Sequence, residues 1–129
     1  MLEITRHLLP GAPDRVAPFS HAVRAGDFLF VTGQMPTLPG GGQVLVDGGV
    51  AEQTEQVLAN LRTVVEGCGG DIARTVFARV YLTDFARDYA AMNAVWERAF
   101  AGGLPARTCV GVTGLAVGAL VEVDLVVAM

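Results

Sequence analysis

The stretch Ala119-Leu120-Val121-Glu122-Val123-Asp124-Leu125-Val126-Val127-Ala128 alternates between two unlike sets of side chains. Successive side chains on a β-strand point to opposite faces. Val121, Val123, Leu125 and Val127 therefore form a uniform apolar face suited to packing beneath helices. Leu120, Glu122, Asp124 and Val126 form the other face. Two carboxylates within an apolar strand are costly unless they are paired, hydrogen-bonded or hydrated. This reading predicts one sheet with helices against one side, its second side meeting neighbouring subunits across solvent-filled clefts.

Working outward, residues 73–83 repeat the two-faced theme. Val76, Ala78, Val80 and Leu82 are expected on one side, and Thr75, Phe77, Arg79, Tyr81 and Thr83 on the other. Asp124 faces the same way as Glu122 and can pair with Arg79. Residues 50–68 carry Val57, Leu58, Leu61, Val64, Val65 and Cys68 at helical spacing, with Gly67, Gly69 and Gly70 able to end the helix. A second helix is expected over 86–101, its stripe made by Phe85, Tyr89, Met92, Trp96, Ala99 and Phe100, and Asp84 as its N-cap. Nearer the N-terminus, 4–9, 19–24 and 28–32 read as strands, the last two joined by the turn Ala25-Gly26-Asp27 as a hairpin. The order β-β-β-α-β-α-β-β is that of an α+β sandwich.

Composition narrows the chemistry. At 129 residues the chain fits one domain, 1–129, and at 52% hydrophobic it is expected to hide part of its surface in an oligomer. No apolar run reaches the ~18 residues of a membrane span, so no membrane partner is expected. A net charge of -4 argues against nucleic acid, which wants a basic stripe. All nine basic residues are arginine; without lysine there is neither a Schiff base nor a phosphate-loop lysine. His7 and His21 are the only histidines and match no metal spacing, and Ser20, the single serine, has no hydrolase motif around it. Two cysteines, Cys68 and Cys109, and no signal-peptide order at Met1–Arg6 point to a reducing, cytoplasmic setting. Cofactor-free chemistry, with no metal, or simple binding is what this leaves.

The stretch Pro105-Ala106-Arg107-Thr108-Cys109-Val110 follows a Gly-Gly-Leu-Pro break and reads as a strand, with Arg107, Cys109 and Gly111 on one face. An arginine fork matches a carboxylate bidentately and cannot deprotonate to escape a dry site. From these residues alone, a solvated strand-entry arginine is the plainer reading.

The segments Val31-Thr32-Gly33-Gln34-Met35-Pro36, Asn60-Leu61, Val76–Asp84, Met92-Asn93-Ala94-Val95-Trp96, Pro105–Val110 and Val121-Glu122-Val123, in this order and spacing, resemble the Rid (reactive intermediate deaminase, YjgF) family across nearly the whole chain. The resemblance implies a chorismate-mutase-like fold, one mostly antiparallel sheet with two helices on one face, assembled as a homotrimer with active sites between subunits. It implies hydrolysis of reactive enamines and imines, such as 2-aminoacrylate, to 2-keto acids and ammonia, with no cofactor. It assigns Arg107 to the substrate carboxylate and makes Glu122 the candidate for placing water and moving protons. Cys109 is expected to contact substrate through its backbone rather than act as a nucleophile. Thr32 and Gly33 resemble the pair lining the carboxylate end, and Asn93 a recurrent asparagine near the cleft, with a structural role equally open. The chain departs from the family at Pro18-Phe19-Ser20, where a tyrosine is usual: Phe19 can wall the pocket but donates no hydrogen bond. His21 is either a polar group near that gap or an ordinary strand histidine. Two rival functions stay open, a small-carboxylate-binding regulatory module without turnover and an RNA-directed endoribonuclease or translation inhibitor.

Overall fold

In the computed structural model, which describes residues 1–129, the strands are β1 (Ile4–His7), β2 (Ala22–Ala25), β3 (Phe28–Gln34), β4 (Thr75–Leu82), β5 (Ala106–Gly111) and β6 (Val121–Ala128). The helices are α1 (Val50–Gly67) and α2 (Phe85–Ala99), so the predicted order of elements is the observed one. The strands form a single sheet in the order β1-β2-β3-β6-β4-β5. Every pairing is antiparallel except β4 with β5. That parallel pair requires a crossover, which α2 supplies.

The alternation in β6 is realised without interruption. Val121, Val123, Leu125 and Val127 are at most 2% exposed, and Glu122, Asp124 and Val126 lie half-buried on the other face. Helix α1 packs over β3 and β6, α2 packs against α1 and over β4, and the core is what the helices and this sheet face enclose. Leu61, Val64, Val65 and Val57 on α1 and Met92 on α2 are fully buried there. The opposite sheet face has no helix, and Phe28, Phe30 and Val76 stand 45%, 50% and 43% exposed.

Several expectations shift. Strand β2 begins at Ala22 rather than at Phe19, since Phe19 and Ser20 belong to the incoming loop. In β4, Thr75 is buried and Val76 exposed, the reverse of the alternation, because the register against β6 slips between Thr75 and Phe77. One extra residue in a bulge turns the following side chains over. The buried stripe of α2 is Asp88, Met92, Val95 and Trp96, leading to Phe100; Phe85 and Ala99 are exposed. Asp84 does cap α2, accepting from the Arg87 amide. Gly49 is the N-cap of α1 and supplies no side-chain bond, and Cys68 at the helix end is half-buried rather than buried. Gly69 (φ 82) takes the left-handed position there, and Gly70 N–H donates to Val65 O at 2.9 Å.

Two polar side chains of α1 hold the loops around this core. Asn60 Nδ2 donates to Met35 O (3.0 Å) and Thr37 O (2.8 Å), fixing the chain as it leaves β3. Gln53 Oε1 accepts from the Leu120 amide at 2.8 Å, fixing the entry to β6. Both residues are buried, so their amides are satisfied where water cannot reach.

Candidate active site

Strand β5 is the sheet edge, and its pairing decides where Arg107 points. Arg107 lies beside Ala78, and Cys109 beside Val80, both core residues of β4. Neighbours in register share a face, so Arg107 and Cys109 lie on the helix side, against α2. The guanidinium sits 5.3 Å from the Trp96 ring centroid and 5.8 Å from that of Tyr89. Phe85 stacks on Tyr89 at 4.4 Å, and Phe100 lies against Trp96 at 4.7 Å. The helix thus carries two aromatic pairs, and the half-buried guanidinium occupies the gap between them. Its polar neighbours are weak: the Met92 sulfur at 3.7 Å and the Tyr89 hydroxyl at 3.4 Å.

No carboxylate reaches Arg107. The chain's ion pairs employ Arg79, Arg87 and Arg98, and none involves it. The guanidinium rests against aromatic faces and its fork of donors is unspent on any acid of the chain, which leaves it chemically able to pair with an anion. Asn93 stands on the same helix with its Oδ1 buried and without a donor. Burial raises the Cys109 thiol pKa, against the opposing pull of Arg107, so the sulfur stays protonated and a poor nucleophile.

Glu122 is elsewhere. It pairs with Tyr81, and Asp124 with Arg79, all on the helix-free face. Arg79 Nε donates to Asp124 Oδ1 at 2.9 Å, the pairing expected from the sequence, and the Tyr81 hydroxyl donates to Asp124 Oδ2 at 3.2 Å. Burial, and then the charge on Asp124, push the Glu122 pKa up. The carboxylate packs so closely over Gly33 that a β-carbon there would collide with it. The register of β3 against β6 slips between Val31 and Gln34, and Thr32 and Gly33 lie within that slip beside a cleft of about 520 Å3. Phe19 lines a shallower recess with Phe30 and Thr32.

The chain therefore gathers its candidate residues into two groups: Arg107, Cys109 and Asn93 with α2, and Glu122, Gly33, Thr32 and Phe19 on the open face. His21 joins neither. It is buried, its Nδ1 accepts from the Leu9 amide (3.0 Å) and its Nε2 meets Pro13 O (2.8 Å), so both nitrogens are engaged in pinning the preceding loop. The aromatic surround of Arg107 was not legible beforehand, because Tyr89 and Trp96 fit an ordinary core stripe. Their seven-residue spacing, two helical turns, was the available signal.

A family model described as Endoribonuclease L-PSP matches residues 10–129. A RutC family protein, y4sK, of Sinorhizobium fredii is 40% identical over 118 residues, 92% of each chain. A mouse protein named 2-iminobutanoate/2-iminopropanoate deaminase is 35% identical over 115 residues, 89% of this chain and 84% of the mouse chain. The crystal structure of RidA from an Antarctic Psychrobacter superposes with a TM-score of 0.87 at 31% identity, covering 96% of this chain and 100% of that one. With the sheet order, the two helices and the placement of the resembling segments all in agreement, the chain belongs to the Rid/YjgF family.

Proposed function

We propose that this protein hydrolyses small 2-imino acids, and the enamines in equilibrium with them, to 2-keto acids and ammonia. The observation that carries the reading is Arg107, a half-buried guanidinium fixed between aromatic rings with no acidic partner in its own chain. It would hold the substrate carboxylate. Water adds to the imine carbon, a proton reaches the nitrogen, and the carbon–nitrogen bond breaks to release ammonia. Burial and the charge on Asp124 raise the Glu122 pKa, which makes this carboxyl a better proton carrier for those transfers than an exposed glutamate. Imines hydrolyse unaided, so positioning and modest proton transfer suffice.

Because Arg107 and Glu122 occupy opposite faces of the sheet, the site is completed by a second copy of the chain, in a homotrimer. The exposed Phe28 and Phe30 support burial of the open face between subunits. Phe19 favours one alternative, a carboxylate-binding regulator without turnover, since it removes a phenol from the site. The net charge of -4 weighs against RNA as the substrate.

The test generates 2-imino acids of several sizes in situ with an amino-acid oxidase and traps them with semicarbazide. The protein should suppress semicarbazone formation and speed ammonia release. Tight binding of a 2-keto acid with no effect on imine lifetime would replace the reading with the regulator.

A further inference from the structure

The chain has two tyrosines, and their hydroxyls are used differently. Tyr81 donates its proton to Asp124 on the open face. Tyr89 has a single polar partner, Arg107 Nη2 at 3.4 Å, and that partner is a donor. A guanidinium cannot accept a hydrogen bond, so the Tyr89 oxygen receives from Arg107 and its own proton has no acceptor in the chain. The ring cannot swing freely to find one: Phe85 stacks on one part of it at 4.4 Å and 21°, and the guanidinium lies over it at 5.8 Å.

We propose that the Tyr89 hydroxyl is a substrate-contacting group that donates a hydrogen bond to the carboxylate bound by Arg107. This rests on the assignment of Arg107 to a carboxylate. An anion docked on the guanidinium lies within reach of the neighbouring phenol, because the phenol oxygen already touches the same fork. Accepting from a cation makes the phenol a stronger donor, and an anion is the acceptor that profits most from it. The clamp is then guanidinium plus phenol, with the phenol carried by α2. This meets the difficulty raised by Phe19, for the O–H missing from that loop is present at the site from another element. The selected ligands are small 2-imino and 2-keto acids with an unencumbered carboxylate.

The experiment compares the unaltered protein with Tyr89→Phe, which keeps the ring stack and removes only the hydroxyl. Calorimetry gives Kd for 2-oxobutanoate, the oxidase-coupled assay gives kcat and KM for the corresponding imine, and thermal denaturation checks folding. Loss of one hydrogen bond to a charged group should weaken 2-oxobutanoate binding about 10- to 30-fold. KM should rise by a similar factor while kcat is largely kept, since the carboxylate contact is made equally in ground and transition states. The melting temperature should be unchanged. Unaltered Kd and KM in Tyr89→Phe overturn the proposal, as does a fall in kcat and melting temperature together, which marks a structural hydroxyl. The function itself is judged separately: a Tyr89-dependent Kd with no imine turnover by the unaltered protein supports the clamp and defeats the deaminase. Normal turnover with a Tyr89-independent Kd does the reverse, and no binding of 2-oxobutanoate by the unaltered protein overturns the clamp.

Discussion

Arg107 and Glu122 lie on opposite faces of one sheet, on strands separated by β4. Arg107 is in register with the core residue Ala78, Glu122 with Tyr81 on the open side. No side-chain rotation brings the two together within a chain, so a reaction needing both must draw them from different subunits.

Subunit complementation follows. Arg107→Ala and Glu122→Gln variants should each be nearly inactive alone. In the proposed homotrimer, variants co-refolded in equal amounts would mix, and random assembly would pair an intact Arg107 with an intact Glu122 at about a quarter of the clefts. Activity near that fraction of the unaltered protein's, measured per chain, is the expected result. No recovery, with mixed assembly confirmed by mass, would mean that both residues serve the same chain.

Arg107→Ala alone removes a bidentate, charge-assisted contact. The cost expected is about 2–4 kcal/mol, or tens- to several-hundred-fold in kcat/KM. Arg107→Lys should recover little, because an ammonium presents a point charge and not the planar fork that stacks between Tyr89 and Trp96. Steady-state kinetics on an oxidase-generated imine measures both. An arginine that merely closed the sheet edge would leave kcat/KM intact in either variant.

The faces of β6 were legible because nothing interrupts its alternation, and the helices because their apolar stripes are long. Strand β4 was legible only in part. Its bulge exchanges the environments of Thr75 and Val76, and alternation counted from either end cannot locate an extra residue. The division of the site had a related cause. Each strand's two faces can be read from its own sequence, but which face of β5 matches which face of β6 depends on the register each makes with β4. That is a long-range property. The loop clasp of His21 onto Leu9 and Pro13 is likewise invisible in sequence, since backbone partners carry no side-chain signature.

Glu122 makes stability depend on pH in a defined direction. Its pKa is raised by burial and by Asp124, while the neighbouring Arg79 and Tyr81 of β4 are bonded to Asp124; Arg6, on the same face, lies at the far edge of the sheet on β1. An acid with a raised folded pKa holds more protons folded than unfolded. Unfolding free energy therefore falls as pH rises from about 4.3, the unfolded value, through the raised folded value, and is flat above it. Glu122→Gln is isosteric and neutral, so it should melt higher than the unaltered protein at about pH 7, with the difference vanishing near pH 4. The same variant should lose kcat, a gain in stability opposed to a loss of function. Parallel melting curves across this range would show that the carboxylate is not desolvated in the folded protein.

The loop between β5 and β6 contains a further source of instability. Val117 has φ 56 and ψ 15, a left-handed conformation, and Gly118 beside it has φ 73. Glycine takes that region without penalty, but a β-branched residue is out of place there. The ordinary cost of the left-handed region is about 1–2 kcal/mol for a residue with a β-carbon. Asparagine tolerates it through local hydrogen bonding, and unlike glycine it adds little freedom to the unfolded chain. Val117→Asn should therefore stabilise by about 1 kcal/mol, raising the melting temperature by roughly 3–5 °C. Val117→Gly should gain less. The side chain is half-buried, so some packing is lost in both variants. A melting temperature that falls in both would mean that this packing outweighs the backbone strain, and that the loop is held in its conformation by the valine itself.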